Sequence, residues 1–172
     1  MMKKWARRGL ILGLLGGAVL LLLQPTPWLI LEEDKTGLET AAIPLAWGER
    51  FEIRYIHSVD RKPVGEIFSL QEGKGVMLHE TYFRMFGAGM GHWEGHGKLE
   101  EEGGWMRIRE IDKSIGSFLL RVGSPGVDHT LVVKGEKLNL TRTAGGKLLR
   151  VRLGMRPRIL ALLHVGRSQH DG

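Results

Sequence analysis

After residue 23 the sequence is a succession of short strand-like segments separated by turns that contain glycine or proline. Apolar and polar residues alternate within these segments, which is typical of β-strands that bury one face. Their spacing of about 8–12 residues, with no clear helix among them, indicates a β-sandwich or a barrel. The sequence therefore predicts an all-β domain, a β-sandwich or barrel-like fold, built from the strands Leu38–Pro44, Phe51–Ser58, Val64–Gln71, Val76–Phe83, Trp105–Ile111, Ser117–Val122, Thr130–Val133, Glu136–Leu140 and Lys147–Leu153.

Three segments carry further expectations. Gly87 to Gly104 is rich in glycine and has no period, so it is predicted to be a long loop. Lys147 to Leu153 is predicted to be the final strand, at an edge of the sheet. Arg158 to Val165 follows Pro157 and fits a short helix or a strand equally well.

The N-terminus has the composition of a membrane anchor. The run Gly9–Leu23 carries no charge, and with the apolar residues around it approaches a length of about 20 residues, enough to cross a bilayer. Basic residues precede this run and acidic residues follow it, so the positive-inside rule places the N-terminus in the cytoplasm. The expected architecture is an ectodomain preceded by one N-terminal transmembrane helix, single-pass in the cytoplasmic (inner) membrane, with the C-terminal domain on the outer or periplasmic side.

Two alternatives to this uncleaved signal anchor stay open. A cleaved signal peptide has the same basic start and apolar run, but Leu20–Trp28 contains no A-x-A-like cleavage site. A soluble buried helix would not normally be so uniformly rich in leucine behind a collar of Lys and Arg.

The anchor interpretation divides the chain into a basic cytoplasmic N-terminus (1–8), a transmembrane signal anchor and linker (9–27), an extracytoplasmic β domain (28–154) and a basic C-terminal tail (155–172). The prolines Pro25 and Pro27 are expected to end the helix, because proline cannot continue one. Trp28 to Leu31 is expected at the membrane interface. The predicted partner of residues 9–23 is the lipid bilayer.

Composition excludes several kinds of site. The chain has no cysteine, which rules out disulfides, thiol nucleophiles and cysteine-based zinc sites. Its net charge of +6 is concentrated at the two ends and no nucleic-acid-binding module accompanies it, so no nucleic-acid partner is expected. A domain that binds anionic lipid through Arg150–Arg158 is an alternative use of the basic residues. No cofactor is expected.

Two polar clusters, Tyr55–Arg61 and His79–Thr81, interrupt otherwise apolar strands. His57, Glu66 and Glu80 are in phase with the apolar faces of their strands, where a charge is costly unless it is paired.

Pairing the strands that contain His57 and Glu66 as a hairpin admits two registers in which the apolar faces coincide. One sets Tyr55 opposite Glu66 and His57 opposite Val64. The next sets His57 opposite Glu66. Either register gathers a histidine, a tyrosine hydroxyl and a carboxylate near the turn that carries Asp60.

Three hypotheses follow for these polar residues. They form a buried network that fixes the hairpin register, or a binding pocket in which Arg61 holds a ligand carboxylate, or a metal-assisted hydrolytic site of His57, Glu66 and Glu80. The tentative binding residues are Tyr55, His57, Ser58, Asp60, Arg61, Glu66, Glu80 and Thr81.

Other chemistry is disfavoured by the spacing. His57 is badly placed to activate Ser58 as a nucleophile, because adjacent strand residues point to opposite faces. His92 and His96 lie in a glycine-rich loop and lack the H-E-x-x-H order, so they are expected in solvent and no metal site is predicted there. Phe86-Gly-Ala-Gly-Met90 has the wrong spacing for a nucleotide-binding loop, and its glycines are expected to allow a tight turn.

The motif Tyr55-Ile-His-Ser-Val-Asp-Arg61-x-Pro63-Val64-x-Glu66, followed by Glu80-Thr81-x-Phe83 and Phe86-Gly-Ala-Gly-Met90, resembles the bacterial domain-of-unknown-function 1850 family. The resemblance covers about Leu38 to Leu140. It implies a small protein with an N-terminal hydrophobic segment, of the kind commonly encoded beside tripartite (TRAP) transporters of the TAXI type. It implies no activity. The expected function is a non-enzymatic accessory or binding module that contacts TRAP transporter membrane subunits or the solute-binding protein. The alternative is a small-ligand or metal-assisted hydrolytic enzyme.

Overall fold

The computed structural model describes residues 2–59, 61–84 and 97–168. The helices within them are α1 (Met2–Leu23), α2 (Leu140–Ala144) and α3 (Arg158–Ser168). The strands are β1 (Pro25–Glu33), β2 (Glu39–Pro44), β3 (Arg50–Ile56), β4 (Pro63–Gln71), β5 (Gly75–Phe83), β6 (Lys98–Glu102), β7 (Trp105–Arg109), β8 (Lys113–Arg121), β9 (Thr130–Val133), β10 (Glu136–Asn139) and β11 (Leu148–Pro157).

These strands form one antiparallel sheet that curls into a half-barrel. The neighbours follow the order β10-β9-β3-β4-β5-β8-β11-β1-β2, and the β6–β7 hairpin attaches to the C-terminal part of β5. Strands account for 54% of the residues, so the prediction of a mostly β domain is confirmed. One predicted loop is shorter than expected, because β6 occupies part of Gly87–Gly104.

The main core joins strands that lie far apart in the sheet. Leu29 and Leu31 of β1 belong to the same buried cluster as Phe51 of β3 and Phe68 of β4. The ring of Phe68 stacks on Phe51 at 5.4 Å and on Phe118 of β8 at 5.2 Å. Since burial of apolar area is the dominant favourable term in folding, these contacts hold the sheet in its curl.

β1 is an interior strand, so the prediction of a linker and an interfacial segment there is wrong. It pairs with β11 from Pro25↔Pro157 onward and with β2 on its other side. Trp28 to Leu31 are all buried. Leu29 and Leu31 face the core, whereas Trp28 packs edge-on against His164 of α3 at 5.7 Å. Helix α3, from the other end of the chain, thus covers a strand that is apolar on both faces.

β11 lies between β8 and β1, so the prediction of an edge strand is also wrong. Its basic side chains, with that of the adjacent Lys147, pair with acidic residues of β1, β2 and the turn between them. The pairs are Lys147–Glu33 (3.1 Å), Arg150–Asp34 (2.5 Å), Arg152–Glu32 (2.7 Å) and Arg156–Glu39. The hydrogen bond from Arg152 lowers the pKa of Glu32. Most of the arginines considered above for lipid binding are therefore engaged within the sheet.

The helices α1 and α3 leave the sheet at the same place. Pro25 pairs with Pro157, and the backbone N–H of Arg158 donates to the carbonyl of Gln24 at 2.8 Å. The segment that fitted a helix or a strand is helical. Within the part of the chain that the structure describes, no helix has both the length and the apolar character needed to span a membrane.

The ends of the predicted segments shift slightly. The domain limits at 27/28 and 154/155 fall inside β1 and β11. Leu140, expected at the end of a strand, instead begins α2. The side chain of Asn139 caps that helix by accepting the backbone N–H of Arg142 at 2.9 Å.

Candidate functional site

The β3–β4 hairpin adopts neither of the predicted registers. Tyr55 pairs with Val64, and Ile53 pairs with Glu66. The strands end at Ile56 and Pro63, so His57 lies in the connecting loop, where its N–H donates to the carbonyl of Lys62 at 2.8 Å. The register still brings the apolar faces together, with Phe51 opposite Phe68. The two predictions were wrong because each extended the paired region of β3 past Ile56.

A β-bulge at His79 separates Glu66 from Glu80. Phe68 pairs with Leu78 but Ile67 pairs with Glu80, so His79 is an extra residue in β5. Beyond the bulge the alternation of β5 is inverted. Thr81 therefore shares the face of Glu66, its direct partner, while Glu80 lies on the opposite face. The prediction that Glu80 follows the apolar face of β5 is wrong.

This inversion separates the three residues of the hydrolytic hypothesis. His57 lies in the hairpin loop. Glu66 lies on the inner face of the sheet, the face that carries Phe68 into the core, and Glu80 lies on the opposite, outer face. Among the described residues, no group of three or more His, Asp or Glu side chains is arranged to hold a metal ion.

The inner face contains a polar cluster that includes a histidine missed by the sequence analysis. The ring of Tyr55 stacks on His129 at 5.0 Å, with 19° between the ring planes. His129 is buried, and its Nδ1 accepts the backbone N–H of Gly123 at 3.0 Å. Burial lowers the pKa of His129. The two rings meet only because β9 pairs with β3, and one of seven histidines carries no local sign of that pairing.

Glu66 is the partly buried carboxyl of this cluster. Burial raises its pKa. Burial, and after it the charge of Glu66, raise the pKa of Tyr55 to about 12. An apolar environment therefore favours the neutral carboxylic acid at Glu66 and the neutral phenol at Tyr55.

The outer face is held by ion pairs. Glu80 is buried and binds Arg107, with Arg109 at 3.8 Å. His79 lies between Ser69, whose hydroxyl is 2.8 Å from Nε2, and Asp112, whose carboxylate is 2.5 Å from Nδ1. These residues of the second polar cluster are therefore occupied by protein partners on the outer face.

Tyr82 forms the centre of an aromatic and basic surface on this outer face. Its ring lies across Gly65, where a side chain would overlap it. Its hydroxyl donates to Glu52, which also binds Arg54 through two hydrogen bonds of 2.7 Å. Burial, and then the hydrogen bond to Glu52, raise the pKa of Tyr82 to about 12.

Two further groups extend the surface around Tyr82. The ring of Trp105 meets that of Tyr82 edge-on at 5.4 Å. Arg107 lies over the Tyr82 ring at 5.0 Å, and Arg84 lies over Trp105 at 4.8 Å. Such contacts contribute about 0.5–1 kcal/mol each at exposed sites, so together they fix the orientation of the rings.

A groove of about 680 Å³ runs along this surface at the hairpin end of β3 and β4. Three of its residues are basic and one is acidic. The lining residues are Arg54, Tyr55, Ile56, Pro63, Val64, Tyr82, Trp105, Arg107, Asp128, Thr130, Val132 and Lys137. Arg54 and Arg107 already bind carboxylates, whereas no ion pair of Lys137 occurs among the described residues. The groove combines apolar rings with positive charge.

The predicted site residues are distributed over several places. Tyr55 lines the groove at the hairpin end, although its ring stacks on His129 on the inner face, where Glu66 and Thr81 also lie. Ser58 and Arg61 are exposed in the hairpin loop, and the Arg61 guanidinium lies against Gly126. Asp60 and residues 85–96, which include Phe86–Met90 and the two loop histidines, are outside the described residues. Whether any of these residues binds a ligand stays a prediction.

Comparison with known proteins gives one match. Neither a curated protein nor a solved structure matches the chain. A family model matches residues 51–140, the region from β3 to the start of α2, and every residue that lines the groove lies within it. β1, β2, β11 and α3 lie outside it. The match covers more than half of the chain, which therefore belongs to the family described as Domain of unknown function (DUF1850).

Proposed function

We propose that this protein is a membrane-anchored extracytoplasmic binding module, without catalysis, that serves as an accessory to a TRAP-type (TAXI) solute transporter. The observation that carries the proposal is the outer groove around Tyr82. Aromatic rings, cations and an open volume coincide in this groove, and all of its lining residues lie within residues 51–140, which match the family model.

The composition of the groove suits binding. Tyr, Trp and Arg are the residue types that most often dominate the energy of protein interfaces. Tyr82, Trp105 and Arg107 supply all three in mutual contact. A volume of about 680 Å³ falls in the range of small-ligand pockets, roughly 300–1,000 Å³, and would equally admit a few side chains of a protein partner.

Contacts within the protein already hold the walls of the groove in place. Glu52 fixes both Tyr82 and Arg54, and Glu80 fixes Arg107. A surface that is already ordered loses little conformational entropy on association, which favours affinity. Because Tyr82, Arg54 and Arg107 are already held by carboxylates of the protein, they suit recognition of a partner better than acid–base or nucleophilic catalysis.

The exposed aliphatic side chains of α1 support the membrane anchor. Leu12 and Leu20 are both 69% exposed, and the charges of the N-terminus precede them. A continuous apolar surface of this kind is rarely left in water. Association with a transporter is the expectation implied by the resemblance of the Tyr55–Glu66 and Glu80–Phe83 motifs to a family commonly encoded beside such transporters.

Photocrosslinking in native membranes tests the proposal. A photoreactive amino acid replaces Val132 in the groove of the tagged full-length protein, and a matched probe replaces Leu119, which is 47% exposed on β8. We expect the Val132 probe to capture a transporter membrane subunit or its solute-binding protein, and the Leu119 probe to capture neither. Equal labelling from both positions, or none from Val132, contradicts the proposal.

A further inference from the structure

Helix α3 turns its apolar residues outward. Leu162 and Leu163 are 59% and 62% exposed, and Ile159 is 38% exposed. On a helical projection these three side chains share one face, since successive residues are 100° apart. His164, a polar residue, lies on the side that faces the domain and packs against Trp28. A helix on the surface of a water-soluble domain has the reverse arrangement.

This outward apolar face adjoins the anchor. α3 begins where α1 ends, because Arg158 is hydrogen-bonded to Gln24 and Pro157 pairs with Pro25. α1 and α3 are also in contact with each other. α1 and α3, each with exposed leucines, therefore meet at the same end of the β1–β11 ladder.

The length and charge of α3 decide which membrane depth it fits. Its 11 residues extend only about 16 Å at 1.5 Å per residue, far less than the roughly 30 Å of a bilayer core. The helix is too short to cross, and its exposed Arg158 favours a position among lipid headgroups. Arg156 does not add to this charge, because it pairs with Glu39 and stacks over Trp28.

We propose that α3 is an interfacial membrane helix that lies in the outer leaflet beside α1, with lipid as the occupant of its apolar face. This inference rests on the proposed anchoring of α1. It assigns the β1–β11 end of the domain to the membrane surface, so that the chain contacts the bilayer at two places, one from each terminus. The covering of Trp28 by His164 then separates the buried strand β1 from lipid.

Fluorescent labelling tests this arrangement, and the absence of cysteine makes single-site labels straightforward. The full-length protein is reconstituted into vesicles of phosphatidylethanolamine and phosphatidylglycerol with an NBD label at Leu163→Cys. Leu15→Cys reports on α1, and Leu119→Cys on β8 is the matched aqueous control; both positions are exposed. Quenching by nitroxide lipids and by aqueous iodide is compared at each site.

We expect the label at position 163 to be quenched by shallow nitroxide lipids at a depth of about 5–10 Å and to be protected from iodide. If it behaves like position 119 while position 15 lies in lipid, this inference fails and the anchor stands. If positions 15 and 163 are both accessible to iodide, the anchor fails as well. Protection of position 163 from both quenchers overturns the lipid assignment in favour of a protein contact, such as a second copy of the chain.

Discussion

Gly65 is the residue on which the outer groove depends most directly. It lies on β4 directly opposite Tyr82, whose ring occupies the space that a side chain would need. Replacement by alanine would force the Tyr82 ring away from the sheet. The displaced ring would lose its hydrogen bond to Glu52 and its contact with Arg107.

The cost of Gly65→Ala follows from these contacts. A hydrogen bond to a charged group contributes about 1.5–3 kcal/mol, and the cation–π contact about 0.5–1 kcal/mol. Glu52 keeps Arg54 as a partner, which reduces the first loss. Alanine also offsets about 0.5–1 kcal/mol, because glycine is unfavourable inside a strand. We therefore expect a net destabilisation of about 1–2 kcal/mol.

A double-mutant cycle with Tyr82→Ala separates the overlap from other effects of the substitution. Urea unfolding of the full-length protein in detergent, followed by tryptophan fluorescence, gives the change in unfolding free energy for each variant. In the Tyr82→Ala background, Gly65→Ala should be neutral or stabilising, because the ring is absent. An equal cost in both backgrounds, or no cost in the unmodified protein, would refute the proposed placement of Tyr82.

Three further tests of other parts of the structure use the same unfolding assay. Burial raises the pKa of Glu66 above its ordinary value of 4.5, so the folded protein holds this proton more firmly than the unfolded chain does. The free energy of unfolding therefore falls as pH rises from the unfolded pKa to the folded pKa of Glu66. Glu66→Gln should abolish that fall, and an unchanged pH profile would contradict this prediction. Thr141→Val removes the hydroxyl that accepts the backbone N–H of His129 at 3.0 Å, and should cost about 1–3 kcal/mol; a neutral effect would show that this bond is dispensable. The partly exposed pair Arg152–Glu32 should give a coupling energy of about 1 kcal/mol or less that weakens with added salt, whereas a larger, salt-independent value would be inconsistent with its exposure.

The alternation of β3, β4, β5 and β9 was sufficient to predict a mostly β domain, because a half-buried strand imposes a period of two on its own sequence. The bulge at His79 could not be predicted in this way. A bulge shifts the alternation by one residue, and residues 76 to 83 show no break in sequence at that point. The sequence analysis consequently placed Glu80 on the apolar inner face, which Thr81 occupies in the structure.

Contacts between distant parts of the chain were the second feature that the sequence could not predict. Trp28 to Leu31 has the composition of an interfacial segment, and only the position of α3 explains why it is a strand buried on both faces. The ion pairs of the β11 arginines were missed for the same reason, since their acidic partners lie more than a hundred positions earlier in the chain. The stacking of Tyr55 on His129 is a third case.

Co-purification of partners with groove variants tests the central claim most directly. The tagged full-length protein is isolated from its native membranes after mild crosslinking, and bound proteins are quantified by mass spectrometry. Trp105→Ala removes an aromatic group of the groove, and Lys137→Glu reverses an exposed charge there. Trp47→Ala is the matched control, an exposed tryptophan in the turn before β3, at the opposite end of that strand from the groove.

We expect a transporter subunit or solute-binding protein to be retained by the unmodified protein and by Trp47→Ala. Loss of a central interface tryptophan costs about 2 kcal/mol or more, equivalent to roughly thirtyfold weaker binding or beyond, so Trp105→Ala should deplete the same partner. Lys137→Glu should deplete it too without lowering stability. Equal recovery from all four proteins, or recovery of no transporter component at all, would contradict the account of the groove as a binding surface.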